Sequence, residues 1–320
     1  MLNKNLIFLY KKKALTRVIQ RFSEQEKETI VSVCHLLGVN RQVYYRTIKA
    51  KKYNESVSKQ VIGLVNSIRI KMPKIGTRKL YFILQEELQL LNIGRDKLFR
   101  ILKANHMLIK PKKSYRITTD SHHRFRKHKN QIKTLDILRP EQVWVSDITY
   151  LGNRKNPSYL ALITDAYSKK IVGFNVSNSL SVTGSLAALD MALKNRKHKQ
   201  KPLIHHSDRG LQYCSNEYQK ILNDNHIKPS MTQQYDPYEN AIAERVNGIL
   251  KQEFGIDKYD MDLDSKIKLV KNTVKIYNQD RPHLSNSMLT PNLMHLQSQL
   301  KIKTYKKKKG SNMKSLPLNY

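Results

Sequence analysis

Residues 141–151, EQVWVSDITYL, decide the fold. Valine, tryptophan, isoleucine, threonine and tyrosine alternate here in the manner of a buried strand. Asp147 is out of place in such a strand, because a buried carboxylate without a partner is costly. The chain must bring that partner from elsewhere. Downstream, YLALITDAYS (159–168) and KKIVGFNVSN (169–178) read as two more strands, and SVTGSLAALDMALKN (181–195) has helical spacing. KPLIHHSD (201–208) is a fourth strand, CSNEYQKILNDN (214–225) a helix, IKPSMT (227–232) a fifth strand and AIAERVNGILKQEF (241–254) a long helix. Three consecutive strands followed by alternating helix and strand imply an α/β unit, a mixed five-stranded sheet flanked by helices.

The partners sought for Asp147 are two other acids. In HHSDRGLQY (205–213) a short apolar run ends at two histidines and Asp208, and Gly210 lets the chain turn. The stretch admits three readings: a histidine-rich metal site, a capping turn, or one member of a carboxylate set. Open α/β sheets place their sites in the loops at strand ends, which favours the third. On the long helix, Asn240, Glu244, Asn247 and Lys251 recur at spacings of four, three and four and share one polar face. Ile242, Val246, Ile249 and Phe254 lie opposite and are expected to pack on the sheet. Asp147, Asp208 and Glu244 are hard oxygen donors without nearby thiolates, a set suited to Mg2+, with Mn2+ able to substitute. Two such ions would activate an attacking oxygen and stabilise a leaving one at phosphorus. Of His205 and His206, one is expected to be buried and the other to line the path of the substrate.

Charge says where that phosphorus comes from. The 320 residues carry a formal net charge of +34. Residues 1–140 hold 32 Lys and Arg against 9 acids, 141–300 hold 20 against 16, and 301–320 hold 7 against none. A basic front attached to a nearly neutral module points to a polyanion-binding part coupled to one with a different task, and double-stranded DNA is the polyanion expected. Within the front, QEKETIVSVCHLLGVNRQVYYRTIKA (25–50) gives a helix, a break at Gly38 and a new helix after Asn40. This is a helix-turn-helix reading that would put Arg41 and Arg46 on DNA. TRKLYFILQEEL (77–88) and GRDKLFRILKANHM (94–107) form a second helical pair whose apolar stripes would pack and leave Arg78, Lys79, Arg95, Lys97 and Arg100 outside for DNA. The segments expected are thus a helix-turn-helix-like region 1–56, a helical DNA-binding module 57–118, a basic linker 119–138 with His122 and His123 solvated, a catalytic unit 139–300 and a basic tail 301–320.

Other readings are excluded. Cys34 and Cys214 are the only cysteines, so neither a disulfide framework nor a thiolate zinc site is supported. No apolar run reaches 18 residues, so no membrane span or membrane partner is expected. DKYDMDLDS (257–265) alternates carboxylates but lacks the glycine and glutamate of a calcium loop; it reads as the acidic entry to a helix running through Tyr277.

WVSDITYL, HHSDRGLQY, PYENAIAERVNGILKQEF and YNQDRPHLSNSMLTP together resemble the transposases of bacterial insertion sequences that share the retroviral integrase catalytic core. Asp147, Asp208 and Glu244 match that family's three catalytic acids, with its spacing of 35 residues between the last two, and Lys251 matches its accompanying base. The resemblance covers nearly the whole chain. It implies a ribonuclease H-like fold, cleavage that frees a 3′ hydroxyl at an element end, and attack of that hydroxyl on another phosphodiester without a covalent protein intermediate. It also implies partners: the element's terminal inverted repeats and target DNA, further copies of the chain on that DNA, and a bacterial cytoplasmic, nucleoid-associated setting. Asn240, Asn247 and Lys251 would then contact DNA near the acids. Asp165 and Ser168 fall where the family has a structural pair, not metal ligands. Ser146 stands in place of the more usual threonine. No sustained leucine heptads occur near the start, so the chain resembles a downstream frameshift product, with an upstream-frame product as a possible partner.

Two other functions compete. A tyrosine recombinase would use Tyr277 as nucleophile with Arg281 and His283, but their crowding within seven positions fits a turn after a helix better. A DNA-binding regulator with an inactive core would be indifferent to the acids.

Overall fold

The computed structural model describes residues 4–110, 128–132, 135–152, 157–233 and 240–301. His122, His123 and the tail beyond Lys301 fall outside them. Two compact units result, one of residues 1–68 and 84–108, the other of 69–83 and 109–320.

In the first unit, α1 (Lys4–Gln25), α2 (Ile30–Leu36) and the start of α3 (Arg41–Lys71) close around Ile19, Val33, Cys34 and Tyr44. The turn between α2 and α3 has the chemistry read from the sequence. Thr29 caps α2 by accepting from the Ser32 amide at 3.1 Å, Gly38 takes φ 62°, and Asn40 Oδ1 accepts from the Gln42 amide at 2.8 Å. Beyond it α3 runs unbroken for 31 residues, so the boundary expected at residue 56 falls inside a helix. No proline interrupts it, and the buried Val57, Val61 and Val65 keep a four-residue rhythm across that point. The second helical pair is likewise divided. α4 (Thr77–Ile83) belongs to the second unit, whereas α5 (Gln85–Leu90) and α6 (Arg95–Ala104) belong to the first.

The second unit is built on β1 (Val143–Leu151), β2 (Ser158–Asp165), β3 (Ile171–Ser177), then α7 (Val182–Lys194), β4 (Leu203–Ser207), α8 (Leu211–Cys214), α9 (Asn216–Asp224) and β5 (Ile227–Met231). The sheet order is β3-β2-β1-β4-β5. β1, β2 and β3 are antiparallel neighbours, while β4 lies parallel to β1 and β5 parallel to β4. This is the mixed sheet that the strand pattern predicts, in the ribonuclease H-like order. Trp144 faces one core, with Leu189, Leu203, Tyr218 and Ile227. Val143 and Val145 face the other, with Ala166 and Ala243. Gly173 lets α7 approach β3 closely: a Cβ there would come within 2.1 Å of the Ala188 carbonyl oxygen.

α10 (Ala241–Ile249) crosses the second face and passes into a π-helical turn, Leu250–Phe254, which stops at Gly255 with φ 74°. α11 (Leu263–Gln279) starts at Asp262, whose carboxylate accepts from the Ser265 amide at 3.0 Å. The acidic stretch is therefore a helix entry, as its composition suggests. α12 (Pro291–His295) completes the unit. Among the described residues no helix is long and apolar enough to cross a membrane.

Candidate active site

Val145 pairs with His206 in the parallel ladder between β1 and β4. Two residues past these partners stand Asp147, on β1, and Asp208, just after β4 ends at Ser207, so the same register brings the two acids side by side beyond the ladder. Asp147 lies on the face of Val143 and Val145, the face on which α10 packs. Gly210 supports the turn, its amide donating to Asp208 Oδ1 at 3.1 Å.

α10 supplies the rest, with a correction to its expected polar face. Asn240 and Asn247 do not face outward toward DNA; they are 6% and 5% exposed and bond to β1. Asn240 Nδ2 donates to the Ser146 carbonyl at 3.1 Å, and Asn247 Nδ2 donates to Asp147 Oδ2 at 2.6 Å. Glu244 remains exposed on the same helix, and Lys251, partly buried, sits within the π turn. A four-three-four spacing puts residues on one stripe. It does not say that the edges of the stripe, here Asn240 and Asn247, are covered by a strand.

Asp147 holds its proton unusually well, with a pKa raised to about 7. Burial is the largest cause, the charge of Asp208 the next, and Glu244 adds to it; the Asn247 hydrogen bond and the Ile148 amide oppose them. Partial burial also raises Glu244. Among the described residues no three acids, histidines or cysteines are drawn close enough together to hold a metal ion between them. The donor chemistry nonetheless suits a hard divalent cation. A buried carboxyl whose pKa the charges of two further acids push upward marks a place where positive charge is favourable.

Both histidines of HHSD are buried, His205 at 2% and His206 at 0% exposure, so neither lines a substrate path. His205 Nε2 lies 2.6 Å from Ser146 Oγ and 2.9 Å from the Tyr218 hydroxyl, and His206 Nδ1 lies 2.9 Å from Ser230 Oγ. Burial lowers the His205 pKa to about 3. A neutral imidazole there ties β4 to β1 and α9. Asp165 is structural, as expected: its carboxylate accepts from the Glu141 amide at 2.7 Å, the Ser168 amide at 2.7 Å and Ser168 Oγ at 2.6 Å.

Tyr277, Arg281 and His283 form a buried knot without a nucleophile. The Tyr277 hydroxyl donates to the Lys169 carbonyl at 2.9 Å, and burial drives its pKa up. Arg281, 1% exposed, grips Glu253 through Nε and Nη2 at 2.8 Å each, and its Nη1 lies 2.7 Å from His283 Nε2. Glu253 is the residue that sequence reasoning missed. It follows Val246 and Ile249 on the apolar side of its helix, and an acid on that side was the available signal. It also takes Lys79, which is not left outside for DNA: Lys79 Nζ donates to Glu253 Oε1 at 3.0 Å with a side chain 12% exposed. Arg41, Arg46, Arg78, Arg95 and Arg100 are exposed, and Lys97 is half-buried.

Residues 138–237 and 225–291 match two families, each described as an integrase core domain. The insertion element IS600 31 kDa protein of Shigella sonnei is 32% identical over 266 residues, 81% of this chain and 96% of its own length. The transposase InsF for insertion sequence IS3A of Escherichia coli is 37% identical over 114 residues, 36% of this chain and 39% of its own. A solved structure of the HTLV-2 integrase catalytic core domain in complex with magnesium aligns at 24% identity over 49% of this chain and 98% of that one, with a TM-score of 0.39. With its sheet order, its acids on β1, after β4 and on α10, and a relative matched along nearly its full length, the chain belongs to the insertion-sequence transposases with an integrase-type core, a family of polynucleotidyl transferases.

Proposed function

We propose that the chain cuts and joins the ends of its insertion element by metal-dependent transesterification, with Asp147, Asp208 and Glu244 as the catalytic acids. The placement of Asp147 on β1 beside Asp208, which directly follows the neighbouring parallel strand β4, with Glu244 acting on the same carboxyl, carries the reading. Mg2+, or Mn2+ in its place, would supply a polarised phosphodiester and an activated attacking oxygen. Asp147 and Asp208 offer the ligand oxygens, and Glu244 offers a third from the solvent side. Asn247 holds Asp147 Oδ2 and so orients the carboxylate that would meet the ion. Lys251 and the exposed arginines of α3, α4 and α6 take the DNA backbone. Pairing two element ends requires more than one copy of the chain on DNA, and an upstream-frame product is a further partner of the proposal.

Labelled element ends incubated with target DNA test it. Joined product should form in Mg2+ and vanish in EDTA. Asp147→Asn, Asp208→Asn and Glu244→Gln should each abolish joining while leaving end binding in place. Wild-type rates from any one of them would defeat the assignment, and end binding without joining by the unaltered chain would favour a regulator.

A further inference from the structure

α10 carries Glu244, but the contacts that hold the helix lie at other residues. Asn240 donates to the Ser146 carbonyl at 3.1 Å and Asn247 to Asp147 Oδ2 at 2.6 Å, which ties the α-helical part to β1. Glu244 is itself exposed, so its place follows from where the helix backbone is held. The far end is held at Glu253. Its carboxylate accepts from Arg281 Nε and Nη2 at 2.8 Å each and from Lys79 Nζ at 3.0 Å. Its backbone carbonyl, of the kind that a helix end leaves without an internal partner, accepts from the Lys74 amide at 3.0 Å. Between Asn247 and Gly255 the winding widens from α to π, and the amides of Gly255 and Ile256 both reach the Leu250 carbonyl.

Lys74 and Lys79 both come from residues 69–83. This stretch belongs to the catalytic unit, although the chain on either side of it, 1–68 and 84–108, belongs to the other. Met72, Ile75 and Leu80 within it are buried, so Lys74 and Lys79 reach Glu253 from a seated segment.

We infer that Glu253 is a positioning residue for Glu244, and that Lys79 makes the placing of this third acid depend on the seating of α4. π turns are rare, occur as single turns inside α-helices and are frequent at functional sites. Here the turn stands between two anchorages with different tasks. Asn247 sets how α10 is rotated against β1, and Glu253 sets how far the helix lies along its own axis. With Glu253 released, the turn can relax to α winding, in which one residue is about 1.5 Å of rise. A displacement of about 1 Å at a catalytic group costs on the order of 100-fold in rate. The clamp acts as a unit, because the side chains of Lys79 and Arg281 are 12% and 1% exposed and losing one partner leaves buried charge unmatched. The inference rests on the proposed role of Glu244 as a metal ligand. It adds that a segment far upstream in sequence decides whether that ligand is in place.

Full-length Glu253→Gln, Lys79→Met and Lys79→Arg test it through amide hydrogen exchange and through Mn2+ binding, followed by the electron paramagnetic resonance of the free ion. In Glu253→Gln and Lys79→Met, exchange over residues 241–249 should quicken about tenfold or more while β4 and β5 keep their protection. Lys79→Arg keeps the charge and should stay near the unaltered rate. Lys79→Met leaves Arg281 on Glu253 and decides the matter if Glu253→Gln does not fold. Mn2+ should bind about tenfold more weakly in the first two variants. Added to Glu244→Gln, the same changes should alter Mn2+ binding by less than about twofold, because the ligand they position is gone. At saturating Mn2+, kcat for joining should fall about 10- to 100-fold with the KM for the DNA end within about threefold. Faster exchange confined to 72–79 and 250–256, or a lower melting midpoint with 241–249 unchanged, leaves the clamp a stabilising cluster and overturns the inference. Should Mn2+ binding by the unaltered chain be indifferent to Glu244→Gln, the metal assignment falls, while the exchange pattern still decides whether Glu253 holds α10.

Discussion

Asp147 and Asp208 are separated by 61 residues in sequence, the same interval that separates Val145 from its ladder partner His206, so the two acids stand level across β1 and β4. Their mutual repulsion is therefore built into the register of the sheet. Asn247 ties α10 to Asp147 by donating to its Oδ2 at 2.6 Å.

The first prediction follows from the pKa of Asp147, raised from 3.8 to about 7. The folded chain binds this proton more tightly than the unfolded one, so the group favours folding at pH 4 and progressively ceases to as pH rises toward 7. Above pH 7 the metal-free protein carries a repelling carboxylate at a cost on the order of a few kcal/mol. Asp147→Asn should raise the melting midpoint in EDTA at pH 8 by several degrees and have little effect at pH 5, as read by calorimetry. The half-saturating Mg2+ of the unaltered chain should fall steeply between pH 6 and 8.

Asn247→Leu removes the donor that lowers the Asp147 pKa. Joining at fixed Mg2+ should drop by about 10- to 100-fold, the usual loss when a partner of a metal ligand is deleted. The deficit should shrink when Mg2+ or pH is raised, because both restore the ionised, metal-facing carboxylate. A rate that stays at the wild-type level at pH 7 counts against this role.

Arg281 is a stability residue. Arg281→Ala leaves Glu253 buried beside Lys79 and His283 with its best partner gone, and should cost about 3–5 kcal/mol in denaturant titration. Arg281→Lys cannot restore the two parallel bonds and should recover only part of it. Lys79→Ala should cost less and leave the salt slope of DNA binding unchanged, whereas Arg46→Ala should reduce that slope by about one.

Gly173→Ala tests the close approach of β3 and α7. Its Cβ would come within 2.1 Å of a backbone carbonyl of α7, so the helix must move off the sheet. A loss of about 1–3 kcal/mol or more is expected, visible as reduced soluble yield and a lower melting midpoint. Gly63→Ala on α3, where a Cβ meets nothing within 4 Å, is the matched control and should be neutral or stabilising.

The sequence by itself determined the strands, their order along the chain and the anomaly of Asp147, while the structural role of Asp165 beside Ser168 was implied only by the family resemblance. What the sequence determined is local: an alternating pattern, or a charge inside it. The tertiary structure alone decided the rest. Lys79 and Glu253 are 174 residues apart, and no periodicity announces that one helix will neutralise the other. Asn240 and Asn247 read as DNA contacts near the acids, whereas in the fold both donate to β1, and the histidine expected to line the substrate path is not His206, because β5 brings Ser230 to its ring. The continuous α3 and the π turn after Ile249 escaped for a related reason: helix spacing reports which residues share a stripe, while the neighbour that buries the stripe sets where the helix ends and how it is wound.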